Sequence, residues 1–355
     1  MQKMILIMIT LLLLTGCVSG EEAPETVETT AAVTEAVIAE TEATAAETVP
    51  VEERFVLTFV GDCTFGSNPV NYYAGYGFIK TVGEDYGYPF RNVLQYFEGD
   101  ECTLINLEGP LCDGGNPVQK KHTFRGPTDY VNILSRNCVE AVTIANNHTM
   151  DYGEKGYIST VETLENAGIP YVQRDESLVF TTEHGITLGI YGAVYYALDK
   201  ETITAEIAAL RQCCDLVIFA PHWGTEGTYR PTEQQVELGH AAIDAGADIV
   251  WGSHPHVLQP VEPYNGGVIF YSLGNFSFGG NGYPGDMDTA LVQQEIIRDE
   301  DGVRLGETVL IPASVSSIPE RNNYQPTPYD PDSGEYARTL SKLDGTFTGP
   351  NLKIN

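Results

Sequence analysis

Positive charge is what this sequence has least of. Its 355 residues hold 19 Lys and Arg against 49 Asp and Glu, a formal net charge of −30. A chain so acidic repels a polyphosphate backbone, which excludes sequence-independent nucleic-acid binding. None of its seven cysteines forms a Cys-x-x-Cys pair, so a zinc ribbon or dithiol redox motif has no support. Long apolar runs are missing too. Spanning a hydrocarbon core takes about 20 residues, and residues 5–14, broken by Thr10, fall well short. Internal repeats are absent. What is there, 42% hydrophobic and 10% aromatic residues, suffices for a sizeable core and excludes wholesale disorder. At ~100–200 residues per domain the length admits one large domain or two modest ones; we expect one, over residues 53–320, with a C-terminal extension at 321–355.

The first 52 residues read as an address and a tether. Lys3 and the apolar stretch 5–14 have the order of a signal peptide, here 1–16. The sequence Leu14-Thr15-Gly16-Cys17 resembles the bacterial lipobox. That resemblance implies a lipidated Cys17, with acyl chains anchoring the protein at ~0.8 kcal/mol per buried CH₂; plain secretion is the competing reading. Residues 21–52 contain nine Glu and seven Thr but no Lys, Arg, Asp or aromatic residue. Like charges repel and there is little to bury, so 17–52 reads as a disordered stalk. The folded part is then expected outside the cytoplasm, held at the bacterial cell membrane. Six cysteines follow Cys17, namely Cys63, Cys102, Cys112, Cys138, Cys213 and Cys214. A domain of this size needs no staples, and mostly free, buried thiols are expected.

Beyond the stalk, β-rich apolar runs at 54–60, 102–106, 139–145, 215–220, 247–251 and 268–273 alternate with helical patterns. One helix is expected over 156–167, stopped by Gly168. Another is expected over 232–245, opened by the capping-box pair Thr232 and Gln235 and stopped by Gly246. Near-continuous apolar strands separated by helices imply an α/β layered fold, a β-sheet core flanked by helices. Residues 289–297 and 303–311 around Asp301-Gly302 read as a late hairpin.

Each of the first five runs ends in a residue able to ligate a metal or carry a proton: Asp62, Glu108, Asn147 with His148, His222, and His254 with His256. In open α/β sheets, sites form outside the carboxyl ends of the strands, so these residues are expected to converge in one crevice. Two carboxylates, an Asn and several His suit one or two divalent ions with mixed nitrogen and oxygen ligation, such as Mn, Fe or Zn. Two such ions ~3.5–4 Å apart activate water toward phosphorus or carbonyl carbon.

Six stretches carry a family resemblance: Phe59-Val-Gly-Asp62, Asn106-Leu-Glu-Gly-Pro110, Ala145-Asn-Asn-His-Thr-Met-Asp-Tyr-Gly153, His222-Trp-Gly-Thr-Glu226, Gly246 through His256, and Tyr271-Ser-Leu-Gly-Asn-Phe276. In this order the chain, over roughly 54–278, resembles the CapA family of poly-γ-glutamate capsule synthesis proteins, within the calcineurin-like metallophosphoesterase superfamily. The resemblance implies a metallophosphatase-like fold and roles residue by residue. Asp62, Glu108 and His256 would hold a first ion; Glu108, Asn147, His222 and His254 would hold a second; His148 would be the general acid. Thr64 stands where superfamily phosphatases have a histidine ligand, which weakens the first site and the case for ordinary phosphatase activity. The implied partner is an anionic polymer such as poly-γ-glutamate or a related wall polymer, with a membrane synthase complex as a further partner. A polymer-binding accessory subunit and a metal-dependent phosphoesterase are the alternatives to a hydrolase- or transferase-like enzyme.

The basic stretch Lys120-Lys121-His122-Thr123-Phe124-Arg125 is either a solvated loop or a clamp for polymer carboxylates. In the clamp reading Lys121 and Arg125 bind substrate, Arg125 being suited to bidentate pairing, and Glu226 and Arg230 line the same cleft. Tyr72, Tyr73 and Tyr76 read as a surface loop over it. Asn106 is either a ligand or an orderer of the loop before Glu108. Asp151 is expected to cap a helix, Cys63 and His240 to pack.

Overall fold

The computed structural model describes residues 52–70 and 75–353. The expected signal peptide, Cys17, the stalk up to residue 51, and Tyr72 and Tyr73 lie outside the described residues.

Apolar runs do form strands, but they are dealt between two sheets. β1 (Glu53–Thr64), β2 (Cys102–Leu107), β3 (Ala141–Thr143) and β4 (Tyr171–Val172) run parallel in the first. The second contains β5 (Glu176–Thr181), β6 (Thr187–Val194), β7 (Leu216–His222), β8 (Ile249–Trp251), β9 (Val261–Tyr264) and β10 (Gly267–Phe270), in the order β5-β6-β7-β8-β10-β9. The chain then returns to the first sheet. β11 (Asn275–Phe278) pairs parallel with the end of β1, while β12 (Asp288–Asp299), β13 (Gly302–Ser314) and β14 (Thr327–Pro328) extend it antiparallel from β1's other side. The late hairpin is β12–β13, closed at Asp299 and Gly302.

Side-chain alternation along a strand assigns the layers. On β2, Leu104 joins the core between the sheets and Ile105 the outer one; on β7, Ile218 faces the first sheet and Phe219 points out. Helices α1 (Phe78–Val82), α2 (Leu94–Phe97), α3 (Val131–Ser135) and α4 (Gly153–Ala167) cover the first sheet's outer face. Helices α5 (Lys200–Leu210) and α6 (Glu233–Asp244) cover that of the second. The result is an α/β/β/α sandwich. The expected layered α/β fold, a β-sheet core flanked by helices, is present; because a continuous apolar run is satisfied equally by a helix or a second sheet, that core holds two sheets rather than one.

The sheets are locked together near one end. Phe59 packs on Trp251 and Phe270, ring centroids 5.6 Å apart in each case, and the Trp251 indole donates to the Val60 carbonyl at 3.0 Å. Just beyond, Gly61 lets two backbones touch: a Cβ there would sit 2.1 Å from the Gly274 carbonyl oxygen, which accepts the Asp62 amide at 2.8 Å. Asp62 and Ser253 thus lie two residues past a fixed cross-sheet bond.

The expected C-terminal extension, as far as residue 353, wraps onto the domain. Tyr324 is buried and its hydroxyl donates to the Tyr76 carbonyl at 2.9 Å. Helix α7 (Gly334–Leu343), capped by Ser333, brings Arg338 and Lys342 onto buried Asp288. The six cysteines downstream of Cys17 are free, with Cys63 buried in the outer core and Cys213 exposed. No helix among the described residues is long and apolar enough to cross a membrane.

Candidate metal centre

Every strand that the sequence ends in a polar residue delivers it to the same end of the sandwich. From the first sheet come Asp62 on β1, Glu108 directly after β2, and Asn147 and His148 after β3; from the second, His222 closes β7, and His254 and His256 follow β8. The five strand ends meet.

Buried Glu108 lies at the centre. Its Oε1 is 3.8 Å from His148 Nε2, 3.9 Å from His222 Nε2 and 3.7 Å from His256 Nε2. These separations are too long for hydrogen bonds, and neither carboxylate oxygen has a hydrogen-bond partner among the described residues. Asp62, also fully buried, accepts from Asn106 Nδ2 at 2.8 Å and lies 3.1 Å from His256 Nδ1. Ligand atoms of Asp62, Glu108 and His256, the expected first site, come within 4.8 Å of one another. In the second set, His222 Nε2 is 2.9 Å from Asn147 Oδ1, while Ser253 Oγ holds its Nδ1 at 2.8 Å. His254 stacks on Tyr195 and lies beside His222, ring centroids 4.7 Å apart. Its Nδ1 is buried without a partner.

The electrostatics ask for a cation. Burial pushes the Glu108 carboxyl well above the ordinary range. Burial, reinforced by His254 and His256, holds His222 well below its own, and burial and His256 push His254 down to about 3. His256 moves the other way: burial opposes its charge, but Glu108 and Asp62 outweigh it and raise it to about 10. The two buried carboxylates thus draw positive charge onto a neighbouring imidazole. A divalent ion supplies that charge more strongly, and the orphaned oxygens of Glu108 and nitrogen of His254 are the atoms it would satisfy. The residues fit the ion.

The surrounding residues hold this set in place. Asn106 bridges Asp62 and Asn146, accepting from Asn146 Nδ2 at 3.0 Å, which makes it an orderer. Thr64 donates to the Glu108 carbonyl at 2.7 Å and so fixes the backbone of the central carboxylate. Asp151 does not cap α4, whose N-cap is Tyr152 with no side-chain bond. Its Oδ2 instead lies 2.6 Å from His148 Nδ1 and accepts the Phe124 amide at 2.7 Å. That Asp follows His148 by three residues was the available signal. His240 packs, stacked on Tyr264 with Nε2 at 3.0 Å from Glu262.

The basic stretch contributes differently from expectation. Lys121 is exposed; its neighbour Lys120 reaches the site, 2.9 Å from the Asn147 carbonyl and 3.2 Å from both His148 Nδ1 and Asp151 Oδ1. Arg125 is turned to the Cys112 carbonyl and the Tyr152 ring. Glu226 does enter the crevice, with a carboxylate oxygen within 4.8 Å of His254 and His256 ligand atoms. Its loop is tied down by hydrogen bonds from the Gly227 amide to the Pro255 carbonyl, 2.8 Å, and from the Leu352 amide to the Gly227 carbonyl, 2.9 Å.

The family model for the bacterial capsule synthesis protein PGA_cap matches residues 56–280, which takes in the whole cluster. The chain belongs to the PGA_cap family. It is 30% identical over 275 residues to the capsule biosynthesis protein CapA of Bacillus anthracis, covering 69% of this chain and 64% of that protein. It is 31% identical over 271 residues to the PGA biosynthesis protein CapA of Bacillus subtilis, covering 69% and 68%. The chain therefore spans under two thirds of the Bacillus anthracis relative. Among solved structures, a novel phosphatase from Mycoplasma pneumoniae superposes with a TM-score of 0.47 at 12% identity, over 74% of this chain and 94% of that one. The PGA_cap match stops before β12, so the α7–Asp288 clamp lies beyond it.

Proposed function

We propose that this PGA_cap protein acts in the synthesis or processing of poly-γ-glutamate, or a related anionic wall polymer, through a divalent-metal site of hydrolase or transferase type. The reading includes a signal peptide at 1–16, a lipid anchor on Cys17, and a stalk that stands the domain off the outer face of the membrane. The observation that carries it is Glu108, whose two oxygens are buried without a hydrogen-bond partner among the described residues and whose Oε1 lies 3.7–3.9 Å from three imidazole nitrogens.

Asp62, Glu108 and His256 would hold one ion, and Glu108, Asn147, His222 and His254 a second; Mn, Fe and Zn all suit these donors. When bound, the ion supplies Lewis acidity and a local positive charge that an anionic polymer needs on so acidic a protein. Asp151, 2.6 Å from His148 Nδ1, turns Nε2 toward the cluster, and in the imidazolium form of the ring that Nε2 would hand its proton to a leaving group. Lys120 adds a second cation at that edge.

The test uses the full chain in detergent. Metal content is measured, and poly-γ-glutamate and simple phosphoesters are incubated with and without chelator. Bound metal with chelator-sensitive change in polymer length is expected; a metal-free protein that leaves the polymer unaltered overturns the proposal. The Thr64 hydroxyl, committed to the Glu108 carbonyl where superfamily phosphatases have a ligand, favours a second reading, a non-catalytic accessory subunit of a synthase complex. Saturable polymer binding that survives His148→Ala, without turnover, supports it.

A further inference from the structure

The metal reading above leaves Glu226 without a role, and the role first expected of it, contact with the polymer, is electrostatically wrong. A bare carboxylate repels a polyanion unless a cation lies between them. Yet Glu226 is carefully held. Gly224 and Gly227 on either side have φ of +83° and +75°, the backbone region only glycine enters freely. The Gly227 amide is bonded to the Pro255 carbonyl, between the two histidines that Glu226 faces.

Those histidines are held just as firmly. His254 and His256 have φ of +97° and +57°, a conformation that costs on the order of 1–3 kcal/mol per residue and persists where the surroundings enforce it. Asp62 Oδ2 accepts the His254 amide at 3.3 Å. The His254 side chain is 6% exposed, with Nδ1 buried and unpartnered. A carboxylate oxygen of Glu226, one nitrogen of His254 and one of His256 lie within 4.8 Å of one another, a separation that one ion closes by drawing each to ~2.0–2.2 Å.

Resting on the metal reading of this centre, we propose that Glu226 is itself a metal ligand, acting with His254 and His256 and supplying from the second sheet the donor that Thr64 does not provide on the first. His256 is the pivot, shared between this set and Asp62 with Glu108. Three carboxylates around the crevice make it richer in hard oxygen donors than the set without Glu226, which favours Mn²⁺ or Fe²⁺ over Zn²⁺.

Mn²⁺ and Zn²⁺ titrations of the full chain, read by calorimetry and by metal retained after dialysis, test the assignment. Glu226→Gln, Glu226→Ala and Glu226→His are compared with wild type and with Glu154→Gln, an exposed control on α4. Melting in chelator checks that each variant folds. The expected results are at least tenfold weaker Mn²⁺ binding in the Gln and Ala variants, and retained binding with preference shifted toward Zn²⁺ in the His variant. Unchanged Mn²⁺ affinity in both Gln and Ala variants, beside a metal-binding wild type, overturns this inference alone. A wild type that binds neither metal overturns the proposed function as well.

Discussion

His148 Nδ1 and Asp151 Oδ2 lie 2.6 Å apart on one tight turn between β3 and α4. The carboxylate, which also accepts the Phe124 amide, fixes the ring so that Nε2 is the nitrogen presented to Glu108. Asp151→Asn keeps the shape but offers an amide where an acceptor is needed. Chelator-sensitive turnover should fall on the order of 10²-fold while metal content stays at the wild-type level. Equal losses of both would assign Asp151 to the folding of the loop.

Asn106 is the hinge pin between the first carboxylate and the Asn146 turn. In Asn106→Ala, Asp62 Oδ1 loses its donor and the buried Asn146 amide loses one of its two acceptors. A buried group left without its partner costs about 1–3 kcal/mol, so the melting temperature should drop. With Asp62 no longer oriented, metal affinity should weaken about 10–100-fold. Melting and titration of the same sample check both.

Acid should loosen the C-terminal clamp. Burial alone would raise the Asp288 carboxyl, but Arg338 and Lys342 outweigh it and hold it below its ordinary 3.8. A carboxyl depressed in the fold stabilises it above the unfolded-state value and stops doing so as pH falls through the folded one. Asp288→Asn should therefore cost about 3 kcal/mol at neutral pH, because buried Lys342 loses a counter-ion. Below about pH 4 the gap between variant and wild type should narrow. Melting curves from pH 7 down to pH 3 decide it.

Gly61→Ala should be among the most damaging small substitutions available. The new methyl meets backbone, the Gly274 and Leu273 carbonyls at 2.1 and 2.8 Å, so no side chain can move aside. Loss of soluble, cooperatively melting protein is expected, whereas Gly334→Ala at the start of α7, with open space around it, should be near neutral.

Much of this centre is legible in the sequence because a parallel strand that stops on a polar residue must put that residue at the sheet's carboxyl edge. Asp62, Glu108, His222 and the 254–256 pair follow from that alone. Helix ends are legible for the same local reason: Gly168 takes the left-handed cap at φ +70°, and Thr232 and Gln235 form the capping box. Sheet partition is not, since nothing in an apolar run tells whether its second face meets a helix or another sheet. Asp151 escaped because an acid ahead of a helix looks like a cap until its side chain is seen turned back on His148. Lys120 and Lys121 are neighbours of one type, and only the backbone's direction decides which reaches inward.

The bond from Leu352 to Gly227 gives a segment 125 residues downstream a say in the crevice. Asn351 adds a second tie, its side chain accepting the Tyr229 amide at 3.2 Å. Removing Asn351 and Leu352 together would loosen the Glu226 loop and change what the protein retains on a metal column. Handles and labels belong elsewhere, on exposed turns such as the one joining β12 to β13.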